Sequence, residues 1–191
     1  MRNDTGIKAI YKSKSTVFKP QELAAIWGIS SYKYLKTRIG YYIKRGYLYR
    51  IAHGLYVKDK NSFDLWEAAN KLRSPSYVSL ETILAKNGLV FQKYSSIFLV
   101  SNFSKVIKTK IGEFVYRKVK EETLFNKNGI IDNGVYCVAS VERAFLDAVY
   151  LYKDYHFDNL RLLDWGKVFE LAPLYKSKTL LKRVGEYQRD A

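Results

Sequence analysis

The sequence predicts an α+β protein built in two parts, and three observations carry that expectation. Apolar residues recur at helical spacing through much of the first 45 residues. The pattern then switches to short stretches rich in aromatic and β-branched residues. After the polar stretch "KDKNS", residues 58–62, helix and strand patterns are mixed for the rest of the chain. The 191 residues are 48% apolar and 16% aromatic, enough to fill one core or two small ones.

A short helix is expected over residues 5–13, with Ile7, Ile10 and Tyr11 on one side. "STVFKPQELAAIWGIS" predicts a second, because Pro20 suits an early helix position, Glu22 falls in the first turn, and Gly28 follows as a stop. Leu23, Ile26 and Trp27 give it an apolar side. A third helix is expected from a Ser30 cap to Gly46, with Leu35, Ile39, Tyr42 and Ile43 as its buried stripe. At 100° per residue, Lys33, Thr37, Gly40 and Lys44 fall opposite that stripe, flanked by Lys36 and Tyr41. "YLYRIAHGLYVK" then reads as a β-hairpin turning at "AHG". Three short helices followed by a basic hairpin have the layout of a winged helix-turn-helix, expected to span residues 1–58.

The second part is expected over residues 62–191 as a mixed α/β domain. "FDLWEAANKLR" reads as a helix with Phe63, Trp66, Ala69 and Leu72 at three-residue spacing, stopped by Ser74-Pro75. "YVSLETILAKNG" reads as another. "SSIFLVSNF", "KVIKTKIG", "EFVYRKVK" and "GVYCVAS" read as strands, with "NKNGIIDNG" as a longer loop. "SVERAFLDAVYLY", "LLDWGKVFELAPLY" and "SKTLLKRVGEYQR" close the chain as helices, the first with Val141, Ala144, Phe145, Ala148 and Val149 along one side.

Charge narrows the partners. The net charge is +15, and residues 1–61 hold thirteen Lys and Arg against Asp4, Glu22 and Asp59, so the first third alone carries +10. Residues 30–56 contain six positive charges, seven tyrosines and no carboxylate. Such a surface suits a polyanion, with nucleic acid ahead of an acidic membrane or an acidic protein. In a winged helix the third helix enters the major groove of double-stranded DNA while the hairpin follows the adjacent backbone. Ser31, Lys33, Lys36 and Thr37 are therefore the candidate base-groove contacts, and Lys44, Arg45, Arg50 and His53 the candidate backbone contacts.

Other classes find less support. One cysteine, Cys137, leaves no internal disulfide, and His53 and His156 are too isolated for a zinc cluster. No apolar run matches a signal peptide core or a membrane span, so a cytoplasmic protein in a reducing compartment is expected. There is no Gly-rich phosphate loop, no G-x-S-x-G and no HExxH. Glu142 and Asp147 sit about 140° apart on their helix, which does not pair them as catalytic carboxylates. Glu113 and Lys118 lack the spacing of nuclease metal-site residues. The expectation is a protein with no enzymatic activity, no cofactor and no metal.

In order along the chain, "GYLYRIAHGLYVK", "SPSYVSLETILAKNGLV", "GEFVYRKV" and "VASVERAFLDAVYL" resemble the AbiEi family of antitoxins of type IV toxin-antitoxin systems, across residues 5–155. Tyr77, Ser79 and Leu80 fall where the family pattern places them, as do Ala139, Glu142, Arg143, Ala144, Leu146 and Asp147. Val141 stands where a small residue or proline is usual. The resemblance implies an autorepressor that binds operator repeats upstream of its own operon, a nucleotidyltransferase-like toxin as functional partner, and a second domain that antagonises that toxin without requiring a stable complex. The alternatives are a stand-alone winged-helix regulator, including one serving mobile-element or phage-defence genes, and a basic protein-interaction module.

Overall fold

The computed structural model describes residues 5–191, and the chain divides into two compact units. The first comprises the chain through Arg73 together with Thr109–Ile111; the second holds Ser74–Lys108 and Gly112–Ala191. Among the described residues no helix is long and apolar enough to cross a membrane.

The first unit contains α1 (Thr5–Lys12), β1 (Val17–Phe18), α2 (Pro20–Trp27), α3 (Tyr32–Lys44), β2 (Tyr49–Ala52), β3 (Leu55–Val57) and α4 (Leu65–Leu72). Helix α2 begins where Pro20 needs no amide partner, and the Lys19 amide donates to the Glu22 carboxylate at 2.6 Å. It ends at Gly28, whose φ of +63° lets the Ile29 amide return to the Ala24 carbonyl at 2.9 Å. Helix α3 starts at Tyr32, with Ser31 rather than the expected Ser30 at the cap position, and the Ser31 hydroxyl makes no cap hydrogen bond. The helix is closed by Gly46 at φ +72°, where the Tyr47 and Leu48 amides both reach the Tyr42 carbonyl.

Ile10, Phe18, Leu23, Leu35, Ile39, Tyr42 and Leu48 form the core between these helices. Two expected core positions lie outside it: Ile43 is 38% exposed, and Tyr11 is exposed, its hydroxyl donating to the Lys58 carbonyl. β2 and β3 form an antiparallel hairpin with a bulge between Arg50 and Ala52. β1 adds to β3, pairing Val17 with Val57 and Phe18 with Tyr56, so β3 is central in a three-stranded sheet.

Helix α4, expected beyond the boundary at 58–62, packs in the first unit instead. Ala68 packs there with Val17, Leu55 and Val57, and a buried ion pair fixes the helix beside them. Glu67 is fully buried and accepts from both the amide and the hydroxyl of Thr16, at 2.8 and 2.6 Å. One turn on, Lys71 lies 2.9 Å from Glu67 and 2.7 Å from Glu22, and donates to the Val17 carbonyl at 2.7 Å. These bonds fasten α4 to β1 and α2.

The second unit is a six-stranded mixed sheet with helices packed around it. Its strands are β4 (Ser76–Val78), β5 (Ile97–Ser101), β6 (Lys105–Thr109), β7 (Gly112–Lys118), β8 (Ile130–Asp132) and β9 (Cys137–Ala139), in the order β6-β7-β5-β4-β9-β8. β4 runs parallel to β9 and antiparallel to β5, while β5 and β7 are parallel. On edge strand β6 the exposed Lys105 and Lys108 discourage pairing with another chain. The helices are α5 (Leu80–Lys86), α6 (Glu121–Phe125), α7 (Val141–Leu151), α8 (Trp165–Leu171) and α9 (Lys178–Arg189). α7 packs against α5, α8 and α9. It is buried over eight consecutive residues, Glu142 to Val149, so its whole circumference faces protein.

Burying α7 entirely puts Arg143 and Asp147 out of contact with water, and a polar network answers them. Asp147 accepts from the hydroxyls of Tyr175 at 2.6 Å, Ser79 at 2.7 Å and Tyr77 at 3.1 Å. The Arg143 Nε lies 3.7 Å from Asp147, and the guanidinium donates to the carbonyls of Thr123 and Asn128 at 2.7 and 2.9 Å. Burial raises the Asp147 carboxyl, against the pull of Arg143 and the three hydroxyls, and keeps both tyrosines protonated as donors. Leu80, beside Ser79, holds φ at +53° with its side chain fully buried, a conformation costly for a leucine and fixed by the packing around it.

Two outcomes test this packing. Removing the Lys71 ammonium leaves the Glu67 carboxylate buried and unpaired, so Lys71→Ala should lower stability by about 3–5 kcal/mol in urea denaturation. Glu81 on α5 is buried, which raises its carboxyl above the ordinary 4.5 despite the opposing charge of Arg117. The folded chain therefore holds this proton where the unfolded chain has lost it. Stability from Glu81 is complete below pH 4.5 and is lost as pH rises through the folded value. Denaturation midpoints from pH 4 to 7 should fall for the native chain relative to Glu81→Gln, which lacks that slope.

Candidate nucleic-acid interface

The exposed side of α3 and the β2–β3 hairpin hold every residue singled out for contact. Ser31, Lys33, Lys36, Thr37, Lys44 and Arg45 are exposed on or beside α3, and Arg50 and His53 are exposed on the hairpin. No carboxylate occurs between Glu22 and Asp59, so nothing within this stretch neutralises it.

Around the helix axis the exposed side chains separate by chemistry. Taking the centre of the Leu35, Ile39 and Tyr42 stripe as zero, a 100° step puts Lys36, Gly40, Lys33 and Lys44 at about 100–180° on one flank. Tyr34, Arg38 and Tyr41 fall on the other flank, with Thr37 next to the boundary. The lysines thus form one border of the exposed face and the tyrosines the opposite one.

The cationic groups differ in freedom. The Arg38 guanidinium packs over the Trp27 ring at 5.0 Å and donates to the Tyr42 hydroxyl at 3.2 Å, which makes it part of the α2–α3 packing. Arg45 lies over the Tyr41 ring at 5.5 Å. In the hairpin, Arg50 Nε donates to the Ala52 carbonyl at 3.3 Å and its Nη2 is 3.2 Å from His53 Nδ1. That pair sits at the β-bulge and the His53-Gly54 turn, so the bulge sets where its charge projects. Thr37 donates its hydroxyl to the Lys33 carbonyl at 3.1 Å, leaving its oxygen lone pairs for an outside donor. With the Ser31 hydroxyl unused as a cap, the first turn of α3 has no side-chain cap and no acidic residue, which favours an incoming anion.

Sequence reasoning placed Tyr41 beside the basic side of α3, where it is 49% exposed, but missed two further exposed tyrosines. Tyr32 and Tyr34 are 75% and 74% exposed at the start of α3. Tyr34 borders an open cleft of about 560 Å³ between the α2–α3 turn and the flank of α3, shared with Ile29, Ser31, Thr37 and Tyr41. Placement 100° from the buried stripe was the available signal for Tyr34. Tyr32 had none, because it is close to the stripe in angle and is exposed by lying beyond the end of the core. Tyr42, in the expected stripe, is buried; Tyr56 is half-buried, and Tyr47 is exposed at 37% with its ring edge-on to Tyr42.

Cys137 is a half-buried thiol pushed up by burial and by Asp132, which disfavours the thiolate. Among the described residues no group of three or more His, Cys, Asp and Glu side chains is placed to hold a metal ion. Tyr77, Ser79, Arg143 and Asp147, scattered in the motifs that carry the family resemblance, come together in the buried network on α7. No family model matches this chain, and no curated protein matches it.

Proposed function

We propose that the protein binds double-stranded DNA sequence-specifically and represses transcription, with the first unit acting as a winged helix. The observation that carries this reading is the exposed, carboxylate-free face of α3 continuing into a basic hairpin. In this reading α3 lies in the major groove, where Ser31, Lys33, Lys36 and Thr37 face base edges. Lys44, Arg45, Arg50 and His53 meet phosphates. The cost of holding six cations close together is offset in the complex by the phosphates and by counterion release.

The resemblance to AbiEi antitoxins extends the proposal. The protein represses its own operon through upstream repeats, and its second unit antagonises a nucleotidyltransferase-like toxin. This extension rests on the motif resemblance, whereas DNA binding also has the charged face in its support.

Fluorescence anisotropy against the DNA upstream of its own gene, with a shuffled duplex as control, tests the first part. Preference for the upstream DNA that persists near physiological salt is the expected outcome; equal and steeply salt-dependent binding to both duplexes would reduce α3 to an electrostatic surface. Lys36→Glu should weaken binding more than Lys36→Ala. For Lys33→Ala, a guanine contact predicts a loss of about 1–3 kcal/mol with relaxed preference at one base pair, and a phosphate contact predicts a uniform loss with the salt slope reduced by about one. Co-expression with any adjacent nucleotidyltransferase-like gene tests the second part. Growth should be rescued by the full chain, and failure of rescue would leave a regulator without antitoxin activity.

A further inference from the structure

The exposed face of α3 is unusual in what it lacks. Its sequence, "YKYLKTRIGYYIK", contains no Asn or Gln to grip adenine through N6 and N7, and no Asp or Glu to accept from cytosine N4. Its internal arginine, Arg38, is committed to Trp27 and Tyr42. The Thr37 hydroxyl proton is committed to the Lys33 carbonyl. Apart from the lysines, the Ser31 and Thr37 hydroxyl oxygens and part of Ile43, what faces outward is aromatic surface. Tyr34 is 74% exposed and Tyr41 49%, and both border the cleft with Ile29 and Thr37.

In the major groove the base-pair feature that apolar surface can recognise is the C5-methyl group of thymine. We infer that α3 reads thymine methyl groups through the cleft between Tyr34 and Tyr41, so that operator preference is set by apolar contact on this flank. The inference rests on the duplex-DNA reading proposed above. On this inference Lys33 and Lys36, placed at base edges above, take the phosphate outcome of the Lys33→Ala test instead: with Lys44 they lie on the other side of the same helix face and hold it against the phosphates bordering the groove. Tyr34 needs no movement to take part, because no packing covers its ring.

The experiment uses the full chain and duplexes that differ in a single methyl group per base. Binding is compared for a dA·dT duplex, the same duplex with deoxyuridine in place of thymidine, and a dG·dC duplex with and without 5-methylcytosine. Burying one methyl corresponds to about a fourfold change in affinity, so the thymine duplex should bind at least that much more tightly than the uracil duplex, and 5-methylation should strengthen binding to dG·dC. Tyr34→Ala combined with Tyr41→Ala should bring the thymine-to-uracil ratio towards one, whereas Tyr34→Phe should keep it. Circular dichroism of each variant separates loss of fold from loss of contact. Equal binding of thymine and uracil duplexes by the native chain would overturn the inference and leave the DNA reading standing. An unchanged ratio in the double alanine variant would overturn the assignment to this cleft. Absence of binding to every duplex would overturn the DNA reading and the inference together.

Discussion

A carboxyl group sealed from water has to be answered by donors, and the second unit is arranged around the answer to Asp147. Its three hydroxyl donors come from β4, from the residue capping α5, and from the turn after α8. Arg143, four residues earlier on α7, carries the network to the carbonyls of Thr123 on α6 and Asn128 in the following loop. Apolar packing alone would tolerate rotation of α7 against its neighbours. Directional bonds to five separate segments fix its angle and depth, because a rotation of the helix would break several of them at once inside the protein.

The first unit uses a second instance of the same device. Glu67 and Lys71 are also an i,i+4 pair on a helix face turned to protein, and here too the acid takes a hydroxyl while the cation takes a backbone carbonyl. In each unit the pair joins strands and helices remote in sequence. The contrast with α3 is instructive: there the cations cluster without acids and remain at the surface, where water screens them. The buried Lys71 and Arg143 are each paired with an acid, whereas the lysines of α3 face solvent.

Local pattern made much of this legible before the structure. α2, α3 and the hairpin are marked by glycines at Gly28, Gly46 and Gly54 and by helical spacing of Leu35, Ile39 and Tyr42, all features that act over a few residues. The strands β5, β6, β7 and β9 were equally clear. Missed elements depend on distant partners or are very short. β1 is two residues long and exists through pairing with β3, and β4 merges in sequence with the apolar start of α5. β8 lies inside a stretch that reads as a loop, "NKNGIIDNG", and is held by β9. The place of α4 was hidden for the same reason, since Glu67 finds Thr16 51 residues upstream. At the candidate interface the charged residues were legible from composition. Tyr41 was legible from its angle to the stripe, but Tyr32 was not, because aromatic residues in a helix ordinarily signal core and the end of the core cannot be read from periodicity.

The division of α3 into a lysine border and a tyrosine border also bears on how such a protein changes over generations. If grip resides on one edge of the helix and choice on the other, substitutions at Tyr34 or Tyr41 redirect the protein to new sites while its hold on nucleic acid persists. Substitutions among the lysines do the reverse, adjusting occupancy with the choice of site conserved. A helix partitioned in this way can follow a drifting target one border at a time, without passing through a form that binds nothing.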